Sequence, residues 1–179
     1  GTKEEDYVEN MIITSTHNTI LFFTNKGLVY QLKGYEIPES GRTAKGTAIV
    51  NLLPLAKEET ITAIIPIKEF SKDRYLFMAT RHGIVKKTGL SEFDTNRKKT
   101  GLIALSLKEN DELIGVKLTD GNRQIIIGTR DGMSICFNEQ DVRPMGRTAR
   151  GVIGIKLKGE DTVIGMDNIR DDCEVLTVT

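Results

Sequence analysis

Three glycines constrain this chain more than any other feature. Gly27, Gly83 and Gly132 each close a polar turn that follows a short apolar run, and a second short run begins at once. The first instance reads Leu21-Phe22-Phe23-Thr24-Asn25-Lys26-Gly27-Leu28-Val29-Tyr30, the second Leu76-Phe77-Met78-Ala79-Thr80-Arg81-His82-Gly83-Ile84-Val85-Lys86. The third reads Ile125-Ile126-Ile127-Gly128-Thr129-Arg130-Asp131-Gly132-Met133-Ser134-Ile135. A second glycine then follows at a near-constant offset: Gly46 after Gly27, Gly101 after Gly83, Gly151 after Gly132. A period of about fifty residues marks a repeat architecture, and it decides the fold before composition is consulted.

Each repeat carries the same local grammar. The apolar run, polar-Gly turn and second run predict a hairpin, with glycine supplying the positive φ of a tight turn. A polar loop leads to the second glycine, after which a third run appears: 48–52, 102–107 and 152–157. An acidic turn (Glu58-Glu59, Asp111-Glu112, Glu160-Asp161) precedes a fourth run, beginning at Ile61, Leu113 and Val163. Four short strands per repeat and no sustained 3.6-residue period predict an all-β, propeller-like fold of four-stranded antiparallel blades. The blades are expected at 11–67, 75–118 and 124–169, with 172–179 opening a fourth. Closed propellers typically have four to eight blades, so three suggest part of a larger protein, as does a chain that opens on Gly1.

Composition agrees with a folded soluble protein: 39% apolar and 28% charged residues. No apolar run is long enough to span a bilayer, and the polar, acidic opening is unlike a signal peptide. Cys136 and Cys173 form no C-x-x-C pair and are expected to be reduced, buried thiols. The formal net charge is zero, so a polyanionic partner is signalled only if the charge is unevenly placed.

It is. The hexamer Gly41-Arg42-Thr43-Ala44-Lys45-Gly46 recurs as Gly146-Arg147-Thr148-Ala149-Arg150-Gly151, and repeat two has Arg97-Lys98-Lys99-Thr100-Gly101 in the same place. The windows 42–46, 97–101 and 147–151 hold seven of the 25 basic residues and no acidic one, where even scatter gives about two basic residues. One basic loop per blade predicts a regular cationic track suited to duplex DNA, with Arg42, Lys45, Arg97, Lys98, Lys99, Arg147 and Arg150 on phosphates. Arg143, just upstream of the third loop, and Lys86 and Lys87, after Gly83, are weaker candidates for the same surface. The competing reading makes these loops solvated turns whose Arg residues cap strands or pair with the acidic turns.

Catalytic readings fail. Gly41/Gly46 and Gly146/Gly151 have P-loop separation, but Thr47-Ala48 and Val152-Ile153 stand where Lys-Ser or Lys-Thr is required. His17 and His82 lie in turns without metal-ligand spacing, and no G-x-S-x-G elbow exists. The acidic turns are expected to be solvated. The chain is therefore read as non-catalytic, without a metal or cofactor of its own.

Several longer runs resemble one family. Val29-Tyr30-Gln31-Leu32-Lys33-Gly34-Tyr35-Glu36-Ile37-Pro38, Ile49-Val50-Asn51-Leu52-Leu53-Pro54-Leu55, Glu59-Thr60-Ile61-Thr62-Ala63-Ile64-Ile65-Pro66 and Val142-Arg143-Pro144-Met145-Gly146-Arg147 are similar to the C-terminal domain of DNA gyrase A. The resemblance runs from about Tyr7 to Thr179. It implies a β-pinwheel, a propeller-like fold, commonly six-bladed, in which neighbouring blades exchange strands. It further implies a module that wraps double-stranded DNA on its basic outer rim and so supports ATP-dependent negative supercoiling by a cytoplasmic, chromosome-associated type II topoisomerase. ATP and Mg2+ would be used elsewhere in that enzyme, and the implied partners are the rest of gyrase A, and gyrase B, in a heterotetramer. The chain lacks the Gln-, Arg- and Gly-rich box of the gyrase domain, which in the family lies upstream of Gly1. The topoisomerase IV homologue shares the fold and stands as the alternative, with a propeller-like protein–protein scaffold as the reading from another class.

Overall fold

The computed structural model describes residues 19–36, 52–95 and 101–170. Among these residues regular structure is β-strand, interrupted only by three single 3-10 turns, Gly34–Glu36, Leu90–Phe93 and Glu139–Asp141. Repeat one supplies β1 (Thr19–Thr24), β2 (Leu28–Lys33) and β3 (Ile61–Ile67). Repeat two supplies β4 (Tyr75–Thr80), β5 (Ile84–Gly89), β6 (Leu102–Ile103) and β7 (Leu113–Thr119). Repeat three supplies β8 (Gln124–Thr129), β9 (Ser134–Asn138), β10 (Val152–Ile153) and β11 (Val163–Ile169).

The sheets are not the repeats. Their strand orders are β3-β1-β2-β6, β10-β5-β4-β7 and β11-β8-β9, so the short third runs of repeats two and three leave their own repeats and edge the sheet before. β6 pairs with β2 through Leu28–Ile103 and Val29–Leu102, and β10 pairs with β5 through Ile84–Ile153 and Val85–Val152. Four-stranded units drawn from contiguous residues thus give way to shared ones, and in repeats two and three only two residues of the long third run are strand. The joint lies at the hairpin glycine. Gly83 accepts the N–H groups of Gly154 (2.8 Å) and Ile155 (3.2 Å), while Gly27 accepts those of Ala104 (2.8 Å) and Leu105 (3.2 Å). A Cβ built on Gly83, whose φ is +93°, would lie 2.6 Å from the Ile155 carbonyl oxygen, so this turn needs glycine both for its dihedral and for its neighbour.

Burial on both sheet faces explains the continuous apolar runs. Every residue of β1 is buried; Leu21 and Phe23 point into the core shared with repeat two, Ile20 and Phe22 into a cluster closed by Leu53. β4 divides likewise, with Leu76 and Met78 on one side and Phe77 and Ala79 on the other. Alternation marks a sheet with one wet face, and these central strands have none. β7 packs between β3 and β11, which makes β3, β7 and β11 the inner strands and β6 and β10 the outer edges.

The acidic turns correct an expectation. One carboxylate of each pair is buried: Glu59, Asp111 and Asp161. Asp111 Oδ1 accepts the N–H groups of His82 and Glu112, and Asp161 Oδ1 those of Asp131 and Thr162. Glu59 accepts from the Thr24 and Tyr30 hydroxyls and from Ala56 N–H. Each carboxylate sits where a register shift interrupts the ladder beside its hairpin, at Phe23/Thr24, Ala79/Thr80 and Val163/Gly165. A buried carboxylate demands donors, and the turn N–H groups and hydroxyls supply them there. Cys136 is disulfide-bonded rather than the reduced thiol expected.

Candidate nucleic-acid interface

The basic loop of repeat three is fully described, and it is built onto its neighbour. Entering from the turn at Glu139–Asp141, the chain lays Pro144 beside Lys87 in a parallel bridge, and Met145 N–H donates to Lys87 O at 2.7 Å. The loop closes on itself through Ala149 N–H to Gly146 O at 3.2 Å. It is then tied to the segment after β6: Ser106 N–H donates to Ala149 O, and its hydroxyl donates to Thr148 O at 2.6 Å. Gly151 ends the loop at φ +91°, where a Cβ would sit 2.4 Å from Val85 O. The terminal glycine of the hexamer therefore answers to the close approach of β5. Gly101, its counterpart, lies against the ring of Tyr30 on β2, so both loops end at the outer edges of successive sheets.

On this frame Arg143 and Arg150 are exposed and Arg147 is half-buried. Arg147 Nη1 donates a long hydrogen bond of 3.5 Å to Ile103 O, which lays the guanidinium along β6. Among the described residues none of the three forms an ion pair with a carboxylate. Repeat two does bring one acid close, Glu92, whose Oε2 is 3.8 Å from the Cβ position of Gly146. The backbone that carries the three cations is thus fixed in place, so less of the loop has to be ordered when an anion binds. Arg42, Lys45, Arg97, Lys98 and Lys99 lie outside the described residues.

Lys86 and Lys87 are not part of that surface, which corrects the expectation drawn from their position after Gly83. Lys86 is 0% exposed. Its Nζ donates to Ala104 O at 2.7 Å and to Arg147 O at 2.6 Å, joining the strand that crosses to one sheet with the loop that arrives from the next repeat. Burial pulls its pKa down to about 8, against the pull of Glu92. Lys87 is buried beneath the loop, where Nζ donates to Glu139 O at 3.0 Å and lies 5.0 Å from the centroid of the Tyr75 ring. Burial lowers its pKa too. Ammonium groups held this way cannot reach a phosphate outside. Glu139, fully buried and accepting from Thr119 Oγ1 and Arg123 N–H, escaped sequence reasoning because an acid after a strand reads as solvated. Among the described residues no group of three His, Cys, Asp or Glu could hold a metal ion.

The family model for the DNA gyrase C-terminal domain, beta-propeller, matches residues 18–68, 74–120 and 123–170. This chain belongs to that family. It is 59% identical over 155 residues to the DNA gyrase A of Halalkalibacterium halodurans, covering 87% of the chain and 18% of that protein. The DNA gyrase A of Staphylococcus epidermidis is 49% identical over 182 residues, covering 100% of the chain and 20% of the relative. The chain thus spans only about a fifth of these relatives. A crystal structure of the C-terminal domain of DNA topoisomerase IV superposes with a TM-score of 0.80 at 34% identity, over 86% of this chain and 48% of that one. The DNA gyrase A C-terminal domain gives 0.69 at 26% identity, over 88% and 50%. The gyrase C-terminal fold, a β-pinwheel with strands shared between blades, is therefore this chain's fold, and its curated relatives are DNA gyrase A proteins.

Proposed function

We propose that this chain binds and wraps double-stranded DNA as a non-catalytic module of DNA gyrase A, and so supports ATP-dependent negative supercoiling by the assembled enzyme. The observation that carries the reading is the braced loop 142–151, which presents Arg143, Arg147 and Arg150 at an outer sheet edge, in a sequence nearly repeated at 41–46. A rim that offers one such loop per blade meets a polyanion at regular intervals, and the energy of bending a duplex along it is offset by each added phosphate contact. The partners on this reading are duplex DNA, the remainder of gyrase A, and gyrase B, in a cytoplasmic heterotetramer. ATP and Mg2+ act elsewhere in that assembly.

Titration of duplex DNA across a range of salt concentrations tests it. Replacing Arg42, Lys45, Arg147 and Arg150 with Ala removes about four counterion-releasing contacts and flattens log K against log salt by about 3–4 units. Replacing Lys57, Lys68 and Lys72 instead is the control, and equal flattening there overturns the reading. The topoisomerase IV alternative has support in the 0.80 TM-score. Joining this chain to its parent's upstream box and remaining blades, on a gyrase core that lacks its own C-terminal domain, separates the two, because only a gyrase module restores net negative supercoiling.

A further inference from the structure

The outer edges carry an apolar feature that phosphate binding does not use. Ile103 is 43% exposed and Ile153 is 62% exposed, on β6 and β10, each two residues beyond the glycine that ends a basic loop. They occupy the same register, opposite Leu28 and Ile84, and Val152 beside Ile153 is also exposed. Bare aliphatic side chains on an edge strand are a liability that edges normally avoid with charge. Here the same position is aliphatic in two successive repeats.

Neither side chain is on a loose segment. The residue after Ile103 donates its N–H to Gly27 O and gives its carbonyl to Lys86; the residue after Ile153 donates to Gly83 O. Arg147 reaches the carbonyl of Ile103 itself, so cation and aliphatic group are neighbours on one rim. On a duplex the apolar surface next to a phosphate is the deoxyribose C–H edge, and the apolar groups next to Arg147 and Arg150 on this rim are Ile103, Val152 and Ile153.

We infer that Ile103 and Ile153, with Val152, pack against the deoxyribose edge of the bound duplex, an apolar and sequence-independent contact between the phosphate contacts of successive blades. The inference rests on the DNA-binding reading above. It assigns affinity to two distinct terms: the arginines set the salt dependence, and the isoleucines set an offset that salt does not screen.

The test is equilibrium binding of this chain to linear duplex DNA of mixed sequence at several salt concentrations. The pair Ile103→Ser with Ile153→Ser is expected to weaken binding by roughly tenfold at every salt concentration with the slope unchanged. Ile103→Leu with Ile153→Leu is expected to bind like the parent, and melting curves of both pairs should overlay the parent's because the positions are exposed. Arg147→Ala with Arg150→Ala is expected to flatten the slope by about 1.8 units. If the serine pair binds like the parent while the arginine pair loses slope, the isoleucine contact is wrong and the DNA reading survives. If neither pair changes binding, the DNA reading of this loop fails and takes the inference with it. A concentration-dependent dimer abolished by the serine pair, with DNA binding intact, makes the surface an interface between copies and also overturns the inference.

Discussion

The Lys86 ammonium group donates to the main-chain oxygen of Arg147 at 2.6 Å, across 61 residues of sequence, with its second bond made to Ala104 O. A cation expected on the DNA surface is instead the internal tie behind a cation that does face outward. Its burial has a consequence for pH. The folded pKa near 8 lies below the ordinary 10.5, so between these values the folded chain binds fewer protons than the unfolded one. Stability therefore gains from rising pH in that window as the buried charge is relieved. Measured by chemical denaturation, the wild-type stability minus that of Lys86→Met should grow by about 2–3 kcal/mol from about pH 7.5 to 10.5. A constant difference means that Lys86 is not held in a site that disfavours its charge.

Gly151 and Gly132 share a positive φ, +91° and +90°, but only Gly151 has a neighbour within 4 Å. Gly132→Ala should cost about 1–2 kcal/mol for the dihedral alone. Gly151→Ala adds a collision with Val85 O at 2.4 Å and should cost at least about 2 kcal/mol more, because backbone, not a flexible side chain, must move. Melting temperatures of the two variants in one buffer decide the matter, and equal losses refute the interblade role of Gly151.

Acid should act through the buried carboxylates. Burial alone raises the pKa of Asp161, but the Thr129 hydroxyl, the N–H groups of Asp131 and Thr162 and the nearby Arg130 outweigh it and leave the pKa below the usual 3.8. A depressed folded pKa contributes stability above the unfolded value, lost as pH falls through the folded one. Asp161→Asn should be less stable at neutral pH and should lose part of the decline that the parent shows below about pH 4. Parallel acid limbs for the two proteins exclude this role.

Phe77 is 0% exposed and packs between repeats two and three, 6.0 Å from Phe137 between ring centroids. Phe77→Ala should cost about 3–5 kcal/mol. The loss should appear as a single cooperative transition, because the core it empties is shared by two sheets. Separate early melting of repeat three, with repeat two unaffected, contradicts that sharing.

The repeat, its hairpins and its all-β class were legible in the residues, because glycine spacing, apolar runs and turn chemistry are local and each dictates its own dihedrals. The bias of cations toward one loop per repeat was equally visible, since it needs only counting. What no single repeat encodes is which sheet its third run joins. Ile103 and Ile153 pair with β2 and β5 of the preceding repeats because the hairpin glycine carbonyls there accept the N–H groups of Ala104 and Gly154, and those carbonyls belong to a neighbour. The fate of individual charges was hidden for the same reason. Lys86 and Arg147 look alike along the chain, and so do the two carboxylates of Asp111-Glu112; only packing leaves one solvated and surrounds the other with carbonyls or N–H groups. Local propensity is written in the order of the residues, whereas desolvation depends on what the rest of the chain places against them, and that the tertiary structure alone decided.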